Sequence, residues 1–300
     1  MSSLRMRSRL AAATAGVLLL AACSESSGPS PAGGLNTTQV ADLGETVTAD
    51  VADLVDASEF DAATGVQLGA PLAGFRPAGA PPICLVGVSP FPPTNSDADA
   101  VPDSVRFDFS ACDFQRGPFH VSMDGTIDLV DPFPTTTGHH WRSRFTDFTH
   151  TDSNTVTHRW LSVRHNGERE VGANPDTLGH LITGFVTDIT NSAGRHATHT
   201  KDWVAHFTAD TPGTIAHGQP LPAGTWTLDG LSTWTRPEGS WSVQTQTVVP
   251  LHFDPSCTLR PRLDSGQLEL VVTRNAVVTH VQITFTACGS YTVTKTGGTS

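Results

Sequence analysis

Residues 268–285 read LELVVTRNAVVTHVQITF, with apolar side chains at alternate positions on either side of a polar centre. The two alternating sets are Leu268-Leu270-Val272 and Val277-Val281-Ile283-Phe285. Such alternation is typical of a β-strand with one buried face. Arg274-Asn275, between the two sets, supplies residues that favour a turn. The stretch therefore predicts two antiparallel strands joined by a hairpin.

The same period of two continues through most of the chain from about Ile83 onward. The other alternating sets are Val105-Phe107-Phe109, Phe119-Val121-Met123, Ile127-Leu129, Trp141-Phe145, Leu161-Val163, Leu181-Phe185-Ile189, Trp203-Ala205-Phe207 and Trp241-Val243. The opposite strand faces are rich in Thr, His and Arg, as expected where one face of an antiparallel sheet is wet. We predict a mainly β fold over residues 80–300: an antiparallel meander that forms an open barrel or a two-sheet sandwich.

Residues that favour tight turns lie between many of these sets. Asn-Gly and Asp-Gly pairs suit two-residue hairpins, because both tolerate positive φ at little cost. The candidate turns are Asp124-Gly125, Ser153-Asn154, Asn166-Gly167, Asn191-Ser192 and Asp229-Gly230. They predict ten or more short strands joined by hairpins.

One amphipathic helix is predicted ahead of the sheet, over residues 36–60. Its apolar residues recur mostly at spacings of three and four: Val40, Leu43, Val47, Val51, Leu54 and Val55. The other face is acidic: Asp42, Glu45, Asp50, Asp53 and Asp56. Two interpretations remain open. The helix packs on the sheet with a solvated acidic face, or it binds a partner.

The first residues have the features of an export signal. Three arginines (Arg5, Arg7 and Arg9) precede an uncharged stretch over residues 10–22, which is too short to span a membrane. The stretch ends in Leu20-Ala21-Ala22-Cys23. This tetrapeptide matches the lipobox at every position, so residues 1–23 resemble the signal peptides of bacterial lipoproteins.

That resemblance implies cleavage before Cys23, a diacylglycerol thioether on its sulfur and, as a rule, an acylated amino group. Residues 1–22 are then a signal peptide, and residues 23–35 are a lipidated, Ser/Pro/Gly-rich tether. Two or more acyl chains give stable anchoring. In enterobacteria the residue after the lipidated cysteine directs sorting, and a residue other than Asp favours the outer membrane. Ser24 occupies this position, so we expect an outer-membrane location. The implied location is the cell envelope, facing the periplasm or the cell surface, with the membrane as a partner through the lipid.

The charge of the mature chain excludes one class of partner. Without residues 1–22, 15 basic residues remain against 29 acidic ones, a net charge of −14. An acidic surface repels polyanions, so we expect no nucleic-acid partner.

Four cysteines remain besides Cys23, and an even number in an exported chain predicts two disulfides. They are Cys84, Cys112, Cys257 and Cys288. Three connectivities are possible. We favour Cys84–Cys112 and Cys257–Cys288, because each closes a short loop between neighbouring strand candidates. A four-thiolate zinc site is the alternative, although the CxxC pairs typical of such sites are missing from the sequence.

The stretch NSDADAVPD at 95–103 places oxygen-bearing side chains at alternate positions, as a Ca²⁺ loop requires. It resembles the DxDxDGxxD loops of thrombospondin type 3 repeats. Carried over by position, the resemblance assigns side-chain oxygens to Asn95, Asp97, Asp99 and Asp103, and a backbone carbonyl to Val101. Ala100 replaces the glycine of the sharp turn, and Arg106 stands where an acid completes the family's site. Two alternatives therefore remain: a calcium site, or a degenerate loop that folds without the metal.

Other residue types suggest no specific chemistry. Thirteen histidines are compatible with a transition-metal site, yet no HExxH motif occurs and His196 and His199 fall on opposite faces of a regular strand. The sequence has no GxSxG motif, and it does not single out a pair of carboxylates for glycoside cleavage. No catalytic residue is therefore assigned. The six tryptophans suit either core packing or ligand stacking.

Three functions are carried forward. The leading hypothesis is a non-enzymatic lipoprotein with a structural, ligand-binding or partner-binding β domain. The alternatives are a carrier or lectin-like module for an apolar or sugar ligand, and an unrecognised extracytoplasmic hydrolase. A carrier requires an apolar concavity, a lectin an exposed aromatic platform, and a hydrolase a cleft with convergent His and carboxylates.

Overall fold

A computed structural model of the chain describes residues 34–64, 87–99, 101–110, 112–216, 219–237 and 239–299. These residues form one helix and 13 strands, and every strand pairing is antiparallel. The mainly β fold predicted from alternation is confirmed. The predicted signal peptide and tether lie outside the described residues, apart from the end of the tether at Gly34 and Leu35.

Most of the strands are longer than the short strands predicted. The helix is α1 (Thr37–Thr64), and the strands are β1 (Gly87–Ser89), β2 (Ser104–Asp108), β3 (Cys112–Arg116), β4 (Phe119–Val130), β5 (His139–Asn154), β6 (Trp160–Ala173), β7 (Thr177–Asn191), β8 (His196–Ala209), β9 (Gly224–Arg236), β10 (Gly239–Phe253), β11 (Leu263–Arg274), β12 (Val277–Ala287) and β13 (Ser290–Thr299).

The strands form a single sheet that follows chain order almost throughout. From β4 to β13 each strand pairs with the next, while β2 lies between β1 and β4, and β3 pairs with β4 off this path. The sheet is not closed, because no pairing links its first and last strands among the described residues. The arrangement is the predicted meander.

Contacts of α1 with distant strands show that the sheet curves around the helix. A Cβ atom placed on Gly44 would lie 2.8 Å from Cγ1 of Val293 on β13. Six residues later, Asp50 meets Lys201 of β8 at 2.9 Å. The two helix positions are about 9 Å apart along the axis, whereas β8 and β13 would be about 24 Å apart in a flat sheet. The sheet therefore wraps around α1, which lies on its concave side.

The helix begins with a reciprocal cap. Oδ1 of Asn36 accepts from the amide of Gln39 at 2.9 Å, and Oε1 of Gln39 accepts from the amide of Asn36 at 3.0 Å. These bonds satisfy amides that lack a partner at a helix start. The helix ends at Thr64, four residues later than predicted. Among the described residues, no helix has both the length and the hydropathy that crossing a membrane requires.

The apolar stripe of α1 belongs to the main core, which confirms that the helix packs on the sheet. The acidic face is less solvated than predicted. Asp50 contacts β8, and Asp56 forms ion pairs with Arg260 and Arg262 of the segment between β10 and β11. These acids are partly covered because basic side chains of β8 and of that segment lie against the helix.

The two faces of the sheet differ in character. On β8, Trp203, Ala205 and Phe207 point inward and are buried, whereas Asp202 and His206 are exposed. The outer face carries ion pairs between residues directly opposite each other on neighbouring strands: Arg106–Asp128, Arg142–Glu170, Arg144–Glu168 and Arg164–Asp188. Such exposed pairs contribute about 0–1 kcal/mol each.

Three predicted turns are wrong, because they lie within strands. Gly125 and Gly167 have φ of 95° and 125° and sit at register irregularities in β4 and β6. The positive φ thus serves bulges that bend long strands instead of reversing the chain. Gly230 lies within β9, where a Cβ would come 2.7 Å from the Cα of Trp203. The Arg274-Asn275 turn is confirmed, since β11 ends at Arg274 and β12 begins at Val277.

Candidate functional site

Charged and polar groups meet where α1 crosses the inner face of β8. Nζ of Lys201 donates to Oδ1 of Asp50 at 2.9 Å, and the two side chains are only 10% and 11% exposed. Nε2 of His199 lies 3.5 Å from Oδ2 of the same carboxylate. His199 and Lys201 are two residues apart, so both point to the same side of β8. Lys201 pairs with the buried charge of the Asp50 carboxylate, and this contact joins the helix to the sheet.

His199 is held as a neutral ring. Burial lowers its pKa to about 4, against the opposing effect of Asp50 and with a smaller lowering effect of Lys201. Its ring stacks on Trp234 with centroids 3.7 Å apart and an interplanar angle of 11°. A neutral imidazole packs in this apolar position without the cost of a buried charge.

Ser58 and His180 form a second buried pair whose geometry opposes nucleophilic catalysis. Oγ of Ser58 donates to the carbonyl of Leu54 at 2.8 Å and lies 2.8 Å from Nδ1 of His180. The single hydroxyl proton is used on Leu54, so Nδ1 of His180 must donate to Ser58. A general base would accept that proton instead. Both residues are buried, so the pair is a structural contact between α1 and β7.

The aromatic residues fill the interior. Trp141, Trp203, Trp226 and Trp234 are buried and Trp241 is partly buried, while Trp160 is 39% exposed. Thus Trp160 alone among the six is exposed, and the tryptophans form no exposed aromatic platform. A cleft of about 330 Å³ lies at the start of α1. It is lined by Leu35, Asn36, Thr37, Val40, Ala41, Val293 and Lys295.

The acidic loop, described at residues 94–99 and 101–103, folds against the end of β4 and the segment that follows it. The amide of Asp103 donates to the carbonyl of Thr94, and the amide of Asp131 donates to the carbonyl of Asp103. Since Ser104 pairs with Val130, the residues just outside that pair lie side by side. Asp131 thereby joins the loop, although it is 28 residues from Asp103 in sequence.

Of the predicted calcium ligands, the structure brings Asp97 and Asp99 together with Asp131. One carboxylate oxygen of each lies within 4.8 Å of the other two. Asp103 lies outside this group and accepts from the amide and hydroxyl of Ser96 at 2.7 and 2.6 Å.

The other two predicted ligands hold the loop in shape. Asn95 donates from Nδ2 to the carbonyl of Asp99 at 2.5 Å. The amide of Val101, a buried residue, donates to Oδ1 of Asp99 at 2.7 Å. Sequence reasoning missed Asp131, whose only signal was its place at the next alternate position after Ile127 and Leu129.

The oxygens of the three-acid group are unequally satisfied. Oδ1 of Asp131 accepts from the amide of Phe133 at 2.7 Å, and Oδ1 of Asp97 from the amide of Asp99 at 3.2 Å. Oδ2 of each of these two acids is buried and has no hydrogen-bond partner among the described residues. Burial raises the pKa of Asp131, and the charges of Asp99, Asp97 and Asp103 raise it further, against the Phe133 hydrogen bond.

The cysteine predictions are partly resolved. Cys257 and Cys288 form the predicted disulfide, with Cα atoms 5.5 Å apart. Cys112 is also disulfide-bonded. Its predicted partner Cys84, like the predicted lipidation residue Cys23, lies outside the described residues. In the part of the chain that is described, no histidine belongs to a cluster of potential metal ligands.

Comparison with known proteins adds no relative: no protein-family model, no curated protein and no solved structure matches this chain.

Proposed function

We propose that the protein is a lipid-anchored envelope protein whose β domain is a non-enzymatic structural or partner-binding module acting through its outer surface. Cys23 carries the lipid, and the Ser/Pro/Gly-rich segment after it separates the domain from the membrane. The mature charge of −14 keeps the domain away from anionic lipid and nucleic acid.

The observation that carries the non-enzymatic part is the position of α1. Its residues Val47, Val51 and Val55 are buried in the same core as Trp203 and Phe207 of β8. The concave side of the sheet, where a carrier or an enzyme of this shape would hold its ligand, is occupied by the protein's own helix. Small-molecule sites are concave and largely preformed, so a filled interior favours the outer surface.

The polar groups inside the sheet support the same conclusion. The carboxylate of Asp50 accepts a hydrogen bond from Lys201, and the hydroxyl of Ser58 donates to the carbonyl of Leu54. The ring of His199 stacks on Trp234. These side chains stabilise the helix–sheet contact. None of them combines the exposure and the hydrogen-bond direction that a general base or a nucleophile requires.

The anchor is tested by metabolic labelling of the full chain with an alkyne-tagged palmitate in a bacterial host. We expect label and membrane association for the wild type and for the neighbouring control Ser24→Ala, and loss of both for Cys23→Ser. Equal labelling of Cys23→Ser would contradict the anchor.

A carrier remains the second candidate because of the cleft at the start of α1. The cleft combines Leu35, Val40 and Val293 with the ammonium group of Lys295, which suits a small apolar carboxylate. Titration of the full chain with decanoate, followed by calorimetry, separates the candidates. The proposed function predicts no saturable binding. One molecule bound per chain, lost in Val293→Trp, would instead support the carrier.

A further inference from the structure

The group formed by Asp97, Asp99 and Asp131 concentrates three carboxylates in one place. No ion pair involves any of these three carboxylates within the described residues, although charged side chains elsewhere on the sheet are widely paired. Oxygens within 4.8 Å of one another fit around one cation with metal–oxygen distances of about 2.4 Å.

Asp131 distinguishes this group from an ordinary acidic surface loop. Its residue exposure is 4%, and its Oδ2 is buried without a hydrogen-bond partner in the part of the chain that the structure describes. An isolated buried carboxylate is costly, and in native proteins such groups are paired or coordinate metals. Asp97 belongs to the same group and also has a buried Oδ2 without a hydrogen-bond partner among the described residues.

We propose that Asp97, Asp99 and Asp131 bind one Ca²⁺ ion that ties the loop before β2 to the end of β4. All three ligands supply carboxylate oxygen, which hard cations prefer. Ca²⁺ accepts irregular oxygen sites with several ligands, whereas Mg²⁺ demands a near-ideal octahedron and usually keeps several waters. A site made from two separate segments, with one buried carboxylate, suits Ca²⁺ better.

The proposal differs from the loop read in the sequence. Asp103 and Asn95 shape the loop through Ser96 and the Asp99 carbonyl, and Asp131 replaces them as a ligand. The degenerate positions Ala100 and Arg106 therefore do not decide whether the metal binds, because a residue outside the motif completes the site.

The test uses the full chain, purified in detergent and stripped with a chelator. Native mass spectrometry and calorimetry with CaCl₂ should show one Ca²⁺ per chain. The midpoint of thermal unfolding should rise by about 5 °C or more at a hundredfold excess of Ca²⁺ over Kd. Absence of bound Ca²⁺ at about 1 mM, the weak end of extracellular sites, would overturn the proposal.

Variants locate the ion. Asp131→Asn keeps the size of the side chain and should weaken Ca²⁺ binding at least about tenfold. Asp97→Asn should have the same effect, and it provides the test if the buried Asp131→Asn variant fails to fold. Asp229→Asn removes the same charge from the exposed face of β9 and should bind as the wild type does. Unchanged affinity in both loop variants would overturn the assignment. Equal affinity for MgCl₂, with the same response to the variants, would overturn the choice of Ca²⁺.

Discussion

The ammonium group of Lys201 lies 2.9 Å from Oδ1 of Asp50, in a contact that joins the helix to the strand beneath it. Both side chains are about nine-tenths buried. The attraction between two buried charges offsets the free-energy cost of removing both from water. When one partner is removed, the other stays buried with an unpaired charge.

Changing Lys201 to Met should therefore destabilise the domain strongly. We expect a loss of about 3–5 kcal/mol in the free energy of unfolding, because the Asp50 carboxylate remains buried. Urea unfolding followed by tryptophan fluorescence measures the change. The matched control is Lys295→Met, which removes a lysine of the exposed β13 surface and should cost under about 1 kcal/mol.

The double variant Asp50→Asn/Lys201→Met removes both charges and should recover most of the stability lost in Lys201→Met. If Lys201→Met alone costs less than about 1 kcal/mol, the pair is not the buried contact described here.

The buried histidines should make the protein sensitive to acid. Burial lowers the pKa of His180 to about 3 and that of His199 to about 4. Both values lie below the unfolded value of 6.5, so the unfolded chain binds more protons between these pH values. The contribution of these two rings to the free energy of unfolding is therefore fully present above about pH 6.5. Below that pH it falls by about 1.4 kcal/mol per pH unit for each ring.

Unfolding free energies measured between pH 4.5 and 6.5 test this effect. His180→Asn retains a donor toward Ser58 and should reduce the slope by about 1.4 kcal/mol per pH unit. The control is His206→Asn, on the exposed face of β8, which should leave the slope unchanged. Identical slopes for wild type and His180→Asn would show that the pKa of His180 is the same in the folded and unfolded states, and would contradict the prediction.

His252 should have the opposite dependence. Its Nε2 lies 2.9 Å from Asp210 and its Nδ1 lies 2.8 Å from Asp264. The hydrogen bond with Asp210 raises its pKa, as does the bond with Asp264, although partial burial opposes them. The folded value lies above 6.5, so this contribution is complete below pH 6.5 and is lost as the pH rises through the folded pKa.

An NMR titration of the His252 ring should give a midpoint above 6.5, and Asp210→Asn should move that midpoint downward. Asp176→Asn, in the turn before β7, is the control and should leave it in place. A wild-type midpoint below 6.5 would rule out the two-carboxylate contact.

The contact between Gly44 and Val293 makes a substitution that normally stabilises a helix unfavourable. Ala is preferred over Gly in a helix interior by about 1 kcal/mol, but a Cβ on Gly44 would lie 2.8 Å from Cγ1 of Val293. Overpacking costs about 1–3 kcal/mol, so Gly44→Ala should destabilise the domain on balance. Combining it with Val293→Ala should relieve the clash. A stabilising Gly44→Ala would place β13 away from the helix.

The sequence predicts the strands well because alternation depends on which face of each strand is buried. Val105, Phe107 and Leu270 are all buried as predicted. The same pattern contains no information on curvature, so the position of α1 inside the sheet could not be read from it. Gly125 and Gly167 were misassigned because a positive φ is compatible with a bulge as well as with a turn.

The acidic loop was found in part for a similar reason. Asp97 and Asp99 are close in sequence, and alternating oxygen-bearing residues are a local signal. Asp131 joins them only through the register in which Ser104 faces Val130, and pairing between distant strands is not encoded in local spacing. Local spacing does not predict the inner group of Asp50, His199 and Lys201, because Asp50 and Lys201 are 151 residues apart in sequence.

Hydrogen exchange of α1 in the full chain, read by mass spectrometry at pH 7, tests most directly whether the helix fills the sheet. In proteins most of the stability of a helix comes from tertiary packing of its amphipathic face, so strong protection of α1 indicates packing. Amides of residues 43–58 should exchange as slowly as those of β8 and β11. Exchange of these helix amides within seconds, while both strands stay protected, would contradict the filled interior and the proposed function that rests on it.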